Sequence, residues 1–127
     1  LTLAENVMMP LSYHNQKKSI RKEKACYYLK KVGISHRENH YPNQCSGGEM
    51  QRAAIARALV TSPTLIFADE PTGALDQENT NEIMTLFDSL NKEGRTIVMI
   101  THSKEVANKS NTILQLESGV LIPYDSH

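Results

Sequence analysis

Thr64-Leu-Ile-Phe-Ala-Asp69-Glu70-Pro71 is the stretch that decides the fold. An uncharged, apolar run of strand length leads straight into two consecutive carboxylates. Its unbroken apolar character predicts a strand covered on both faces. A second run of this kind, Thr96 to Ile100, ends on Thr101-His102. Between them, Asp76 is placed to N-cap a helix whose core side is Ile83, Leu86, Phe87 and Leu90, with Gly94 as its stop. Upstream, Ser46-Gly-Gly-Glu49 forms a capping box that opens a helix running to about Val60, and Thr61-Ser-Pro63 ends it. Downstream, Ser103 caps a short helix to about Lys109, and Ile113–Leu116 and Val120–Ile122 read as two strands in a closing hairpin or bend around Ser118-Gly119. Helix, strand, helix, strand, helix, strand predicts an α/β layer with parallel strands and helices on its faces.

The first third of the chain is different. Thr2 and Glu5 make another capping box, for a short helix that Pro10 ends or redirects. Residues 12–19 read as a polar loop. Ser19 to Val32 reads as a helix with Ile20, Tyr27, Tyr28, Leu29 and Val32 on one broad face, a basic opposite face and Gly33 as its stop. His36 to Pro42 reads as a loop.

The sequence has 127 residues, enough for one small domain or a piece of a larger one. Apolar residues make up 39%, which fits a soluble globular class, and no run approaches the ~18 residues of a membrane span. Leu1 to Leu11 is interrupted by Glu5, Asn6 and Pro10, so no signal-peptide core is expected there. Cys26 and Cys45 have no metal or redox spacing, and a reducing compartment is the default. The formal net charge of zero argues against a globally basic nucleic-acid binder. It conceals a division: residues 1–45 carry eight basic and three acidic side chains, residues 46–127 six basic and eleven acidic.

Chemistry is expected at the strand ends, where open α/β sheets bind ligands. Asp69 and Glu70 suit a divalent cation plus a base: one acid holds the metal and the other polarises water. Taken alone, such a pair serves equally well to start a helix or solvate a loop. His102, taken alone, is more commonly structural. Ser46-Gly47-Gly48 at a helix N-terminus permits close backbone approach and favours an anion such as phosphate, although ordinary caps use the same residues.

Together these elements are far more specific. Tyr41-Pro-Asn-Gln-Cys-Ser-Gly-Gly-Glu-Met-Gln-Arg-Ala-Ala-Ile-Ala-Arg-Ala-Leu59 resembles the signature motif and following helix of ATP-binding cassette (ABC) ATPases. Leu65-Ile-Phe-Ala-Asp-Glu-Pro71 resembles their Walker B strand, Thr72-Gly-Ala-Leu-Asp76 their D-loop, and Thr101-His102 their switch-histidine loop. All four fall in the family's order and at its usual spacing. Leu1 to Val7 resembles the segment just after the Q-loop. The Pro-Thr-Gly-Ala-Leu-Asp stretch is most like the subfamily serving lipoprotein-release, macrolide-export and antimicrobial-peptide transporters.

The resemblance implies a P-loop NTPase-like α/β fold: a partial parallel sheet with flanking helices plus a helical subdomain. It implies ATP and Mg²⁺ as cofactors, with Asp69 holding the metal, Glu70 as general base and His102 contacting the γ-phosphate. Ser46, Gly47 and Gly48, with Glu49 closing the turn, would bind the γ-phosphate of ATP held by an opposite subunit, and Asp76 would lie beside that site. Its partners would be a second nucleotide-binding domain and a transmembrane permease, with no nucleic acid, and its place the cytoplasmic face of the cell membrane. Cys45 stands where Leu is usual and reads as a small apolar substitute. Glu49 stands where Gln is common; it keeps the capping box but adds negative charge near a phosphate. Arg52 either orients the signature loop or is solvated.

No Gly-x-x-x-x-Gly-Lys-Ser/Thr occurs in the 127 residues, and the Q-loop glutamine is missing. The expectation is therefore the C-terminal part of a cassette, with a helical signature arm at 1–60 and the Walker B side of the core at 61–127. Such a part would expose strand edges and an apolar sheet face. The parent would be an ATPase subunit energising export or extraction, while this chain alone would be inactive. The alternative is a non-catalytic module completing an ATP site in trans with a P-loop-bearing partner. A DNA-maintenance ABC ATPase is disfavoured, because residues 1–40 lack heptads.

Overall fold

The structure, a computed structural model, describes residues 1–13 and 15–123. His14, inside the expected polar loop, lies outside the described residues.

The first helix, α1 (Leu3–Met8), begins at the Thr2 capping box: Thr2 Oγ1 accepts from the Glu5 amide at 3.2 Å and Glu5 Oε1 from the Thr2 amide at 2.9 Å. Its next two amides donate to the loop that follows the second helix, Leu3 N–H to His40 O and Ala4 N–H to Glu38 O. Leu3, Ala4, Val7 and Met8 are buried, so this short helix is held by packing. A 3₁₀ turn, Met9–Tyr13, carries the chain through Pro10.

Helix α2 (Lys18–Lys31) stops in a Schellman motif. Gly33 takes φ +84°, its amide donates to Lys30 O, and Ile34 N–H reaches back to Leu29 O. Ala25, Tyr28 and Leu29 are buried, with Val32 and Ile34 just beyond the helix. Ile20 and Tyr27, expected on the same face, are instead exposed (42% and 60%). They lie on the side of the turn opposite Leu29 and Ala25, so the helix has apolar residues on both sides. Helix α3 (Gly47–Leu59) follows, packed on α1 and α2 through Ala53, Ile55, Ala56 and Leu59.

Strand β1 (Leu65–Asp69) and strand β2 (Thr96–Ile100) pair in parallel, Leu65 opposite Thr96 and Asp69 opposite Ile100. Between them runs α4 (Gln77–Lys92), capped by Asp76, with Ile83, Met84, Phe87 and Leu90 buried. It ends in a second Schellman motif at Gly94, φ +98°. The one-helix crossover is the βαβ arrangement expected for parallel strands.

The sheet departs from expectation in one way. Ile66 is buried and Ala68, Ile97 and Met99 are partly so, while Leu65 (56% exposed), Phe67 (63%), Val98 (42%) and Ile100 (46%) face out. β1 and β2 are thus covered on one face, not both. The reason is packing: one face lies on the core cluster, and among the described residues nothing buries the other. The open apolar face is the one expected of a partial sheet. The last two strands form the expected closing hairpin, outside the parallel pair. After α5 (Lys104–Ala107), β3 (Leu114–Glu117) pairs antiparallel with β4 (Val120–Pro123) in a separate exposed hairpin, joined at Ser118-Gly119 with both residues at positive φ.

One core cluster joins α1–α5 and β1 through Leu3, Val7, Leu29, Leu59, Ile66, Ile83, Leu90 and Val106. Each such side chain contributes about 1.5–3 kcal/mol by burial. No helix among the described residues is long and apolar enough to cross a membrane.

Candidate functional site

Two polar clusters form around this frame. The first is at the C-terminal ends of β1 and β2. The Glu70 amide donates to Ile100 O at 2.8 Å, continuing the ladder one residue past the strand. Glu70 adopts φ +46°, unusual for a residue with a side chain, and this turns its carboxylate onto the next loop. Oε1 then accepts the His102 amide at 2.8 Å, and His102 Nε2 lies 3.7 Å away. The Glu70 side chain is half-buried, whereas the His102 imidazole is 97% exposed. The acid is fixed and the imidazole is presented outward. Asp69 is exposed beside them, and its carboxylate has no hydrogen-bond or ion-pair partner among the described residues.

The second cluster is the turn into α3. Ser46 Oγ accepts from the Glu49 amide at 3.1 Å and Glu49 Oε1 from the Ser46 amide at 2.9 Å. With those two donors satisfied, the amides of Gly47 and Gly48 have no acceptor among the described residues. Two free amides at the positive end of a thirteen-residue helix suit an anion. Gly48 leaves room here for Asn79: a Cβ would press on Asn79 Oδ1 and make that side chain move. Asn79 is itself held by Asp76, whose Oδ1 accepts both the Asn79 amide (2.8 Å) and Asn79 Nδ2 (2.9 Å). Asp76 therefore caps α4 and steadies the side chain that packs on the Gly-Gly turn.

The charge of Glu49 is matched locally. Its Oε2 accepts from Arg37 Nε at 3.0 Å and lies 3.3 Å from His36 Nε2. The Ser46 amide first, then Arg37, holds this carboxyl down at about 2. Arg52 is a brace rather than a solvated group: Nη1 donates to Val32 O at the end of α2 (3.2 Å) and Nη2 bonds Glu82 of α4. These groups line a cleft of about 360 Å³ that includes His36, Ser46, Glu49, Arg52, Asn79 and Glu82. Cys45 is half-buried, packs against the core and directs Sγ to Tyr41 O at 3.5 Å.

The site residues expected from sequence thus fall into two groups: Asp69, Glu70 and His102 together, and Ser46, Gly47, Gly48, Glu49 and Asp76 together. Arg37 and Asn79 were not anticipated. Asn79 had a local signal, an Asx residue three positions after the Asp76 cap; Arg37 had none. For Mg²⁺, an ion that keeps several waters and uses one or two carboxylates plus substrate phosphates, the unpaired Asp69 carboxylate fits. Among the described residues no group of three or more His, Cys, Asp or Glu gathers to make an all-protein metal cage.

The sequence profile of the family described as "ABC transporter" matches residues 1–73. The chain is 50% identical over 122 residues to the ABC transporter ATP-binding protein YtrE of Bacillus subtilis (strain 168), covering 95% of this chain and 53% of that one. It is 44% identical over 122 residues to the macrolide export ATP-binding/permease protein MacB of Chlorobaculum tepidum, covering 96% of this chain and 19% of that one. Among solved structures, the dimeric bacterial ABC transporter cassette MJ0796 superposes with a TM-score of 0.81 at 43% identity, covering 94% of this chain and 53% of that chain. A post-hydrolysis dimer of the same cassette, bound to ADP and Pi, gives 0.80 at 41%. The chain spans about half the length of the ATP-binding proteins and cassettes it matches, and about a fifth of the MacB protein. With its motifs in order and its α/β fold shared with solved cassettes, the chain belongs to the ABC transporter family.

Proposed function

We propose that this chain is the signature- and Walker B-bearing part of an ATP-binding subunit that energises export, or extraction from a membrane, of a transported substrate. Residues 1–60 act as the signature arm and 61–127 as the Walker B side of the core. The observation that carries this reading is the Glu70 carboxylate, fixed by the His102 amide at 2.8 Å at the end of β1.

With Oε1 engaged, Glu70 Oε2 is left to accept a proton from water and orient it for attack on the γ-phosphate. The exposed His102 imidazole donates to an oxygen of the transferring group. Asp69 would hold Mg²⁺, and the bound ion would neutralise phosphate charge. The amides of Gly47 and Gly48, with Ser46, receive the γ-phosphate of a nucleotide presented by a second nucleotide-binding domain, and Asp76 keeps that turn in shape. Separation of the two clusters within one chain suits a head-to-tail pair, in which each ATP uses both. The dimeric state of the MJ0796 cassette supports this arrangement. The ATP-binding/permease name of the MacB protein supports a permease partner, and pairing with one would put this chain at the cytoplasmic face of the membrane.

The test mixes the purified chain with a P-loop-bearing cassette fragment. The chain alone turns over no ATP; the mixture gains Mg²⁺-dependent ATPase activity, and Glu70→Gln removes it. Turnover by the chain alone that Glu70→Gln abolishes, or no gain on mixing, refutes the reading; turnover that survives Glu70→Gln refutes the role of Glu70. A gain on mixing also establishes the in-trans mode of completing the site, which the same residues support.

A further inference from the structure

We infer that Arg37 is a charge-matching residue of the signature turn, which makes a turn closed by a glutamate acceptable to a phosphate. The inference rests on reading Ser46-Gly47-Gly48 as a phosphate site.

The turn needs an acceptor at residue 49 to close its capping box, and either Glu or Gln supplies one. Glutamate brings a full negative charge within one helical turn of the free Gly47 and Gly48 amides. Both Glu49 oxygens are engaged, Oε1 by the Ser46 amide and Oε2 by Arg37 Nε. The Glu49 side chain is only 19% exposed, so water screens it poorly. Arg37 is fixed as well. It closes the 3₁₀ turn Ser35–Arg37, which is pinned to the core by Ile34 (2% exposed) directly after the Gly33 stop of α2. A guanidinium keeps its charge at any working pH, so compensation by Arg37 is permanent. His36, 62% exposed, lies against the same oxygen as a weaker neighbour.

The consequence is a charge series. The 37/49 pair is neutral in the natural chain, +1 in Glu49→Gln, −1 in Arg37→Ala, and neutral again in Arg37→Ala/Glu49→Gln. Because Gln retains the capping acceptor, the series varies charge while the turn is kept. Phosphate affinity follows that order, with each unit of charge worth about threefold to tenfold at low salt.

The experiment titrates inorganic phosphate into the four chains and follows the amide resonances of Ser46, Gly47 and Gly48 by NMR. Expected is tightest binding in Glu49→Gln, near-equal binding in the natural chain and the double variant, and weakest in Arg37→Ala. Thermal unfolding of the same samples checks folding. A double variant as weak as Arg37→Ala makes Arg37 a merely structural support and overturns the inference. Absence of any phosphate response at these amides, in Glu49→Gln as well as the natural chain, overturns it too. ATP-dependent association with a P-loop-bearing cassette separates the two readings. Failure to associate alongside the ordered phosphate series refutes the proposed function and leaves the role of Arg37 standing.

Discussion

Gly48→Ala is the perturbation whose outcome the geometry specifies most closely. A methyl group there meets Asn79 Oδ1 and, at 2.9 Å, Asn79 Cγ, inside contact distance. The cheapest relief swings Asn79 aside and breaks its 2.9 Å bond to Asp76 Oδ1. Losing that bond costs about 1 kcal/mol, and an off-rotamer Asn79 about 0.5–1.5 kcal/mol more. Against this, Ala is favoured over Gly in a helix by roughly 0.5–1 kcal/mol. Gly48→Ala therefore destabilises the chain by about 1 kcal/mol. In an Asn79→Ala background the clash is gone, the Asp76 cap keeps its backbone donor, and Gly48→Ala stabilises by about 0.5 kcal/mol. Urea unfolding of the four chains reads a coupling of about 1.5 kcal/mol between positions 48 and 79. Additivity within about 0.4 kcal/mol would refute the contact between the signature turn and the start of α4.

Three further outcomes are expected. Arg52→Ala costs about 1–2 kcal/mol by urea unfolding, because it abandons the Val32 carbonyl, whereas Glu82→Gln costs under about 0.5 kcal/mol, its ion pair being half-exposed; equal costs would show that the ion pair is the source. Since Glu49 is held at about 2, its stabilisation is complete above about pH 4.5 and is lost as the pH falls towards 2. Glu49→Gln flattens the stability slope across that window; an unchanged slope counts against the assignment. Burial first, then the bond from Sγ to Glu38 Oε2 at 2.9 Å, pushes the Cys26 thiol up to about 11. Iodoacetamide at pH 8 accordingly labels Cys26 on the order of a hundredfold more slowly in the folded chain than after unfolding, and rapid labelling of the native state would contradict this.

What could be read from sequence was whatever is decided within a few residues. The Thr2/Glu5 and Ser46/Glu49 boxes, the Asp76 and Ser103 caps and the Gly33 and Gly94 stops form at the expected places, because each is a contact between near neighbours. The strands were legible as strands; their surroundings were not. Leu65 and Phe67 look identical in sequence to residues of a strand covered on both faces, and only the pairing of β1 with β2 reveals the open side. The β3–β4 hairpin was legible too, because its pairing is decided locally across Ser118-Gly119. Ile20 and Tyr27 lie within a broad helical arc with Tyr28, but packing selects the arc centred near Leu29 and leaves them out. At the site, Glu70 and His102 were legible as strand-end groups. The bridge from Arg37 to Glu49 spans twelve residues and leaves no periodic trace.

The backbone at Glu70 sets the interests of the fold against those of the chemistry. A side-chain-bearing residue at φ +46° costs about 1 kcal/mol relative to glycine. Glu70→Gly or Glu70→Asn relieves that cost but surrenders the carboxylate that accepts the His102 amide, a bond worth at least as much. Melting temperature alone therefore gives no steady pressure towards either replacement, and only a screen that reads turnover would retain the acid at this one codon.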